Sequence, residues 1–480
     1  MDKDFHCWDP EARPPLWRVL AGLPAMAYRT VRWQALRGGW LRGHMRRPRF
    51  DRRHLPAGVP VDVIVLVADH YEPARRFGDE AAVESVRSWC AAYEALARPH
   101  RDADGRFPQH TWFYRYDYPN PGCVRELADS VFRGFGEVEF HLHHGHDTHE
   151  AVAATLREGV NWFNRFGAML TCEARPRQCF GYVAGNSALD NGAGDAALSG
   201  CDTEVRALAD AGCYADFTFP ALGSPAQPRL TNTIYYATED GQPKSYDTGV
   251  EVAVGREPSG DLMIFQGPVA IDWINGCIAD GSLENSSPPH PRRLGAWLSA
   301  HVHVAGRPEW VFVKLHTHAM QNRASFLSPA LGHVFAAMGA WWNRPPFRLH
   351  YVTAREAYNI VKAAEAGHAG DPNDYRDYLL PPPANRVVRC DRPLRLLSYT
   401  PQRLSLEVLE PGWTQLEFAL GPLQSVGGRV RRMEAWYNLG RLADLTLEGE
   451  GPFDVARREP TGDIAAAETV QDGREVVGRV

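Results

Sequence analysis

The chain has 480 residues, 44% of them hydrophobic and 23% charged, enough apolar material for a large globular core and for more than one domain. Its nine cysteines form no CxxC pair and no regular spacing, and it has neither a run of eighteen apolar residues nor a signal-like apolar region behind Asp2, Asp4 and Asp9. A disulfide framework, a zinc knuckle, a membrane span and a secretory signal are therefore not expected, and a reducing cytoplasmic setting is.

Residues 1–60 read as a basic amphipathic arm. They hold twelve Lys+Arg against five Asp+Glu, a surplus of seven, so the other 420 residues carry −13 to reach the overall −6. Trp17, Leu20, Leu23, Met26, Tyr28, Trp33, Leu36, Trp40 and Leu41 interleave with the arginines. Two readings fit this pattern: peripheral contact with an anionic membrane at the inner face, or a helical arm packed on the acidic body. Nucleic acid is not expected, because no recognition motif accompanies the charge.

Residues 61–370 alternate strands with helices. Strands are predicted over 61–67, 111–116, 138–143, 179–184, 214–219, 262–266, 310–316 and 347–352, several of them β-branched or aromatic runs of the kind buried on both faces. Helices are predicted over 82–97, 124–135, 148–170, 203–211, 291–304, 330–342 and 354–366. This order predicts an α/β fold with a parallel sheet closed or nearly closed into a (β/α) barrel. Pro, Gly, Asn and Thr mark 221–260 as a loop or β-hairpin insertion. Residues 371–390 read as a linker, 391–453 as a small all-β, sandwich-like C-terminal domain, and 454–480 as a disordered tail.

The strand ends carry the chemistry. The first strand ends in Asp69-His70-Tyr71-Glu72, and the third runs into five of the chain's nineteen histidines within nine residues, His141, His143, His144, His146 and His149. Strand alternation puts His141 and His143 on one face. Neutral imidazole is a favoured ligand for zinc, and three such ligands with an open fourth position make a catalytic site. The fourth strand leads to Tyr182, Asn186 and Asp190, the fifth to Asp216, and the seventh to His316 and His318. Singly, Asp69 also reads as a helix cap, Asp190 as a turn former and His316 as a core histidine. Trp112, Tyr116, Tyr118, Tyr182 and Trp273 are the aromatic candidates for stacking on a sugar.

The order of these motifs across residues 60–370 resembles the polysaccharide deacetylase superfamily (carbohydrate esterase family 4, the NodB-homology domain). The resemblance implies an incomplete, seven-stranded barrel of the glycoside hydrolase/deacetylase type. It also implies Asp69 as catalytic base, His70 in the place of a metal-binding aspartate, His141 with His143 or His144 as metal ligands, and His316 in Lys-Leu-His as general acid. Tyr182, Asn186, Asp190, Asp216 and His318 are then expected to contact substrate. The pattern departs from the family's in having Asp69-His70 for an Asp pair and His-x-His-His-x-His for His-x-x-x-His, and it has no clean Arg-Pro-x-Tyr motif. The expectation is a divergent metal-dependent hydrolase, with zinc as its cofactor, that N-deacetylates a sugar of a cell-surface polysaccharide or its lipid-linked precursor. A different metal hydrolase or glycosidase and a non-catalytic polysaccharide-binding or assembly protein are the alternatives.

Overall fold

Strand β1, Val61–Tyr71, is the axis of the fold, and all eleven of its residues are buried. Its Val/Ile/Leu run suits a strand covered on both faces: Ile64, Leu66 and Ala68 pack inward with Phe113 and Phe312, while Val63, Val65, Val67 and Tyr71 pack outward against the helices. The computed structural model describes residues 39–390 apart from 56, 74–78, 166–169, 173–176 and 273–276, with residues 20, 23, 24, 27 and 28 and the backbone of strands beyond 390.

The remaining strands of this region are β2 His110–Arg115, β3 Gly136–Leu142, β4 Leu170–Cys172, β5 Arg177–Ala184, β6 Cys213–Asp216, β7 Ile234–Ala237, β8 Val250–Glu251, β9 Leu262–Phe265, β10 Val269–Asp272, β11 Cys277–Asp280, β12 Trp310–Thr317 and β13 Phe347–Tyr351. All but β10 and β11, which pair in a sheet of their own, build a large, mostly parallel central sheet in the order β12-β1-β2-β3-β5-β6-β9-β7-β8, with β13 beside β1 and β4 beside β5. Helices Asp79–Ala97, Pro121–Phe132, His149–Asn164, Glu204–Ala211, Leu294–Ser299, Pro329–Trp342 and Ala354–Glu365 alternate with the strands, which makes the architecture α/β and barrel-like. Strand β1 is gripped three ways: β12 lies along Asp62–Asp69, while β13 flanks Val61–Val65 and β2 flanks Ala68–Tyr71. The insertion expected over 221–260 contains β7 and β8, which pair antiparallel at the sheet edge.

The stretch expected to be a linker is tied into the body. Fully buried Arg355 bonds Glu137 (2.9 Å) and the carbonyls of Arg376 (3.1 Å) and Leu380 (2.8 Å), and buried Arg376 reaches Asp104 (2.8 Å) and Glu356 (3.2 Å). Removing one partner from such a buried pair strands the other charge, at about 3–5 kcal/mol. In the arm, helix Trp40–Arg46 seats Trp40 on Leu222, Val269 and Ile278, and Arg47 pairs with Glu251. Residues 1–38, save the five named, lie outside the described residues, as does the tail over 454–480 except for two short strands, Asp454–Arg457 and Ala467–Val470. Among the described residues no helix is long and apolar enough to cross a membrane.

A candidate metal centre at the carboxyl ends of the strands

Alternation carries His70 inward from β1, and it carries Glu137, Glu139 and His141 inward from β3, opposite Val138, Phe140 and Leu142. The His70 and His141 rings meet with centroids 5.1 Å apart. Two residues beyond His70, Glu72 places Oε1 2.9 Å from Nε2 of His143 and 3.4 Å from Nε2 of His141, and the two Nε2 atoms are 3.0 Å apart. These atoms form a tight group of metal-ligating type.

The chemistry of the trio fits a cation. Nδ1 of His141 lies 2.7 Å from the Val183 carbonyl, which only accepts, so the ring's proton sits there and its Nε2 lone pair faces His143 and Glu72. Donors on a tetrahedral ion with bonds of about 2.0–2.1 Å are separated by about 3.3 Å, close to the spacings found here. The other oxygen of Glu72 accepts from Arg115 (3.1 Å) and Gln321 (3.0 Å), which fixes the carboxylate plane. Burial works to raise Glu72, but the imidazoles of His141 and His143 beside it hold it well below the usual carboxylate range, so it is ionised. Burial keeps His143 below its ordinary value despite Glu72. Gly185 backs this site: a Cβ there would lie 2.5 Å from the His143 ring.

Beside the trio stand three more imidazoles. His318 stacks on His70 with centroids 4.4 Å apart, and its Nδ1 meets Glu284 Oε1 at 2.6 Å. Burial lowers the affinity of His318 for a proton, but the Glu284 carboxylate overrides it and raises the pKa above the ordinary value. The His318 side chain is 39% exposed, so the proton is reachable. His70 is buried and makes no hydrogen bond to another described residue. His316 points inward next along β12 from Lys314; burial lowers it to about 4 and its Nδ1 has no hydrogen-bond partner among the described residues.

Several expected site residues lie elsewhere. Asp69 faces outward, fully buried, accepting from His110 Nε2 (2.9 Å) and the Ala319 amide (2.9 Å) within the Trp89–Tyr93–Phe326 aromatic layer. His144 turns from the trio to Glu204 (3.2 Å), which also accepts from Tyr182 Oη (3.0 Å) and the Asp190 amide (2.7 Å), so that these three expected residues share a buried hub. Burial, with Glu239 nearby, pushes Asp190 up to about 8. Asp216 is buried and accepts from Thr218 (2.6 Å), and Lys314 donates to the Phe217 carbonyl close by. Asn186 is exposed, one residue past Gly185.

Of the five aromatics, Trp112 and Tyr182 are buried and Tyr116 packs on Phe140 and Trp162. Trp273 lies outside the described residues, and Tyr118 is 49% exposed with Arg115 4.8 Å from its ring centre. Glu72 is a candidate ligand that the sequence analysis does not single out. The alternation that pairs His141 with His143 also pairs His70 with Glu72 and was the signal that would have found it. A second group of ligand-type residues, Asp104, His350 and Asp371, has no lone pair to offer from its imidazole. His350 Nδ1 bonds Asp104 (2.8 Å), its Nε2 bonds Asp62 (2.9 Å), and Arg348 and Arg376 cover the carboxylates. In comparison with known proteins, no family model and no curated protein matches the chain.

Proposed function

We propose that the chain is a metal-dependent hydrolase, an N-deacetylase acting on an N-acetylated sugar of a cell-surface polysaccharide or its lipid-linked precursor, built on an incomplete barrel of the deacetylase type. The observation that carries this reading is the Glu72–His141–His143 trio with His318 beside it. Two imidazoles and one carboxylate suit zinc better than calcium or magnesium, which take oxygen-rich shells. A zinc ion bound there supplies an acidified water and a charge that polarises the acyl oxygen.

The protein's own groups then divide the proton work. His70, between the trio and His318 and free of hydrogen bonds to described residues, is placed to take a proton from water. His318, whose affinity for a proton Glu284 raises, is placed to give one to the departing amine, the role expected of His316. Asp69, with both oxygens engaged, positions the Ala319 amide and through it His318. Tyr118 offers the exposed face on which a pyranose ring stacks. A glycosidase reading needs two carboxylates flanking open space at about 5–10 Å. Here Glu72 and Asp117 are held by Arg115, and Glu284 by His318.

This reading agrees with a cytoplasmic protein touching the inner membrane face through its basic arm. The deciding experiment measures metal content and acetate release from an N-acetylglucosamine oligomer with the purified chain. Stoichiometric zinc with acetate release is expected. Zinc without release favours the non-catalytic polysaccharide-binding alternative, and no metal at all overturns both.

A further inference from the structure

At the far end of the sheet from the trio, a cavity of about 420 Å³ opens between the segment leading into β1 and the loop leading into β13. It is lined by Arg52, Arg344 and Arg348, by Asn343 and Gly58, and by the apolar Val59, Pro60, Pro345, Pro346 and Phe347, with no acidic residue among them. Its size is in the range of small-molecule sites.

The arginines differ in what they already hold. Arg348 is neutralised by Asp62 (2.7 Å) and Asp371 (2.9 Å), which anchors its guanidinium in the wall. Arg52 and Arg344 make no ion pair and no side-chain hydrogen bond with the described residues, although Asp51 beside Arg52 is available and is taken by Arg53 at 2.6 Å. The Asn343 side chain is likewise without a hydrogen-bond partner among them. Two exposed guanidiniums and a half-buried carboxamide, each without a partner among the described residues, come from two separate segments to line this cavity.

We propose that this cavity binds a phosphate ester, its phosphate held between Arg52 and Arg344 and its organic part laid on Pro60, Pro345, Pro346 and Phe347. The guanidinium fork matches a phosphate's oxygens two at a time, and two forks match a dianion better than a carboxylate's single charge. The site is remote from the trio: β1 spans the ten residue steps from Val61 to Tyr71, roughly 33 Å at about 3.3 Å each. The phosphate comes either from a free small molecule or from a lipid headgroup, and Arg52 belongs to the basic arm that would bring a membrane close.

Calorimetry on the full chain with phenyl phosphate and with inorganic phosphate tests this, alongside sedimentation with vesicles of phosphatidylcholine containing phosphatidylglycerol. One phenyl phosphate per chain is expected, bound more tightly than inorganic phosphate. Affinity should fall about tenfold or more in Arg52→Gln/Arg344→Gln, from the loss of charge-assisted hydrogen bonds. It should be unchanged in His141→Ala/His143→Ala, where the trio can no longer capture an anion. Asn343→Ala gives a second, smaller loss in a variant that keeps both charges. Vesicle binding displaced by phenyl phosphate identifies a headgroup as the source, and absence of vesicle binding identifies a free ester. The proposal is overturned if no binding is found, if the arginine variant binds as the parent does, if the histidine variant loses the binding, or if inorganic phosphate binds as well as the ester.

Discussion

The two ends of β1 hold similar residues in opposite states. At the amino end His350, Asp62, Asp104, Arg348 and Arg376 are closed on one another, and both nitrogens of the imidazole are committed to carboxylates. At the carboxyl end the imidazoles of His141 and His143 face each other across Glu72, and His70 bonds no described residue. Density of histidine and acid therefore does not distinguish a structural knot from a reactive centre. The number of lone pairs still uncommitted does, because a buried polar group without a partner is costly unless something binds it.

The largest effect that would break this contrast is on the metal. His141→Ala/Glu72→Ala should lower zinc affinity by well over a hundredfold, since removing even the outer partners of metal ligands costs 10–100-fold. His350→Ala should leave zinc content at the parent level in elemental analysis. Equal loss in both variants would put a metal at each end.

Stability should show the reverse pattern. Arg355→Ala takes from buried Glu137 its nearest charged partner and should cost about 3–5 kcal/mol in urea unfolding, while the zinc content of the folded fraction stays at the parent level. Asp69→Asn sharpens the assignment at the active end. A positioning residue predicts a stability loss of about 1–3 kcal/mol with metal retained and turnover reduced about tenfold or less. A turnover loss beyond about a hundredfold without loss of stability would restore Asp69 as the general base.

The smallest effect is on pH. Burial disfavours the charged form of His350, but Asp104 and Asp62 raise its folded pKa above the ordinary 6.5. A group raised on folding contributes stability that is fully present below 6.5 and is lost as pH climbs through the folded value. His350→Gln should therefore flatten the decline in unfolding free energy on the alkaline side of 6.5; an unchanged slope would show that another group is responsible.

The eight predicted strands coincide with the eight parallel ones, β1, β2, β3, β5, β6, β9, β12 and β13, because their β-branched and aromatic residues are legible in the sequence, as a near-continuous run in β1 and in alternation with polar residues in β3. The β10–β11 hairpin was missed, since Val269–Asp280 carries no comparable run. In the site, period-two alternation was legible at His141 and His143 but was not applied through His70 to Glu72. His144 and Asp69 turn away from the trio for a different reason. Which way His144 turns depends on Glu204, sixty residues away, and Asp69 is captured by His110 across the sheet. Partners that distant leave no periodic trace in the sequence.

The triple grip on β1 has a consequence for how this chain tolerates insertions and deletions. A slip of one residue would carry Asp69 to the inner face and send His70 into the aromatic layer, exchanging an imidazole for a carboxylate at the mouth while keeping the composition intact. Ladders to β12, β13 and β2 together cover the whole strand, so a slip has to break all three at once. A single-codon deletion between Val61 and Ala68 should thus be far more damaging than one at Gly241 or Gly255, where a turn has room to shorten.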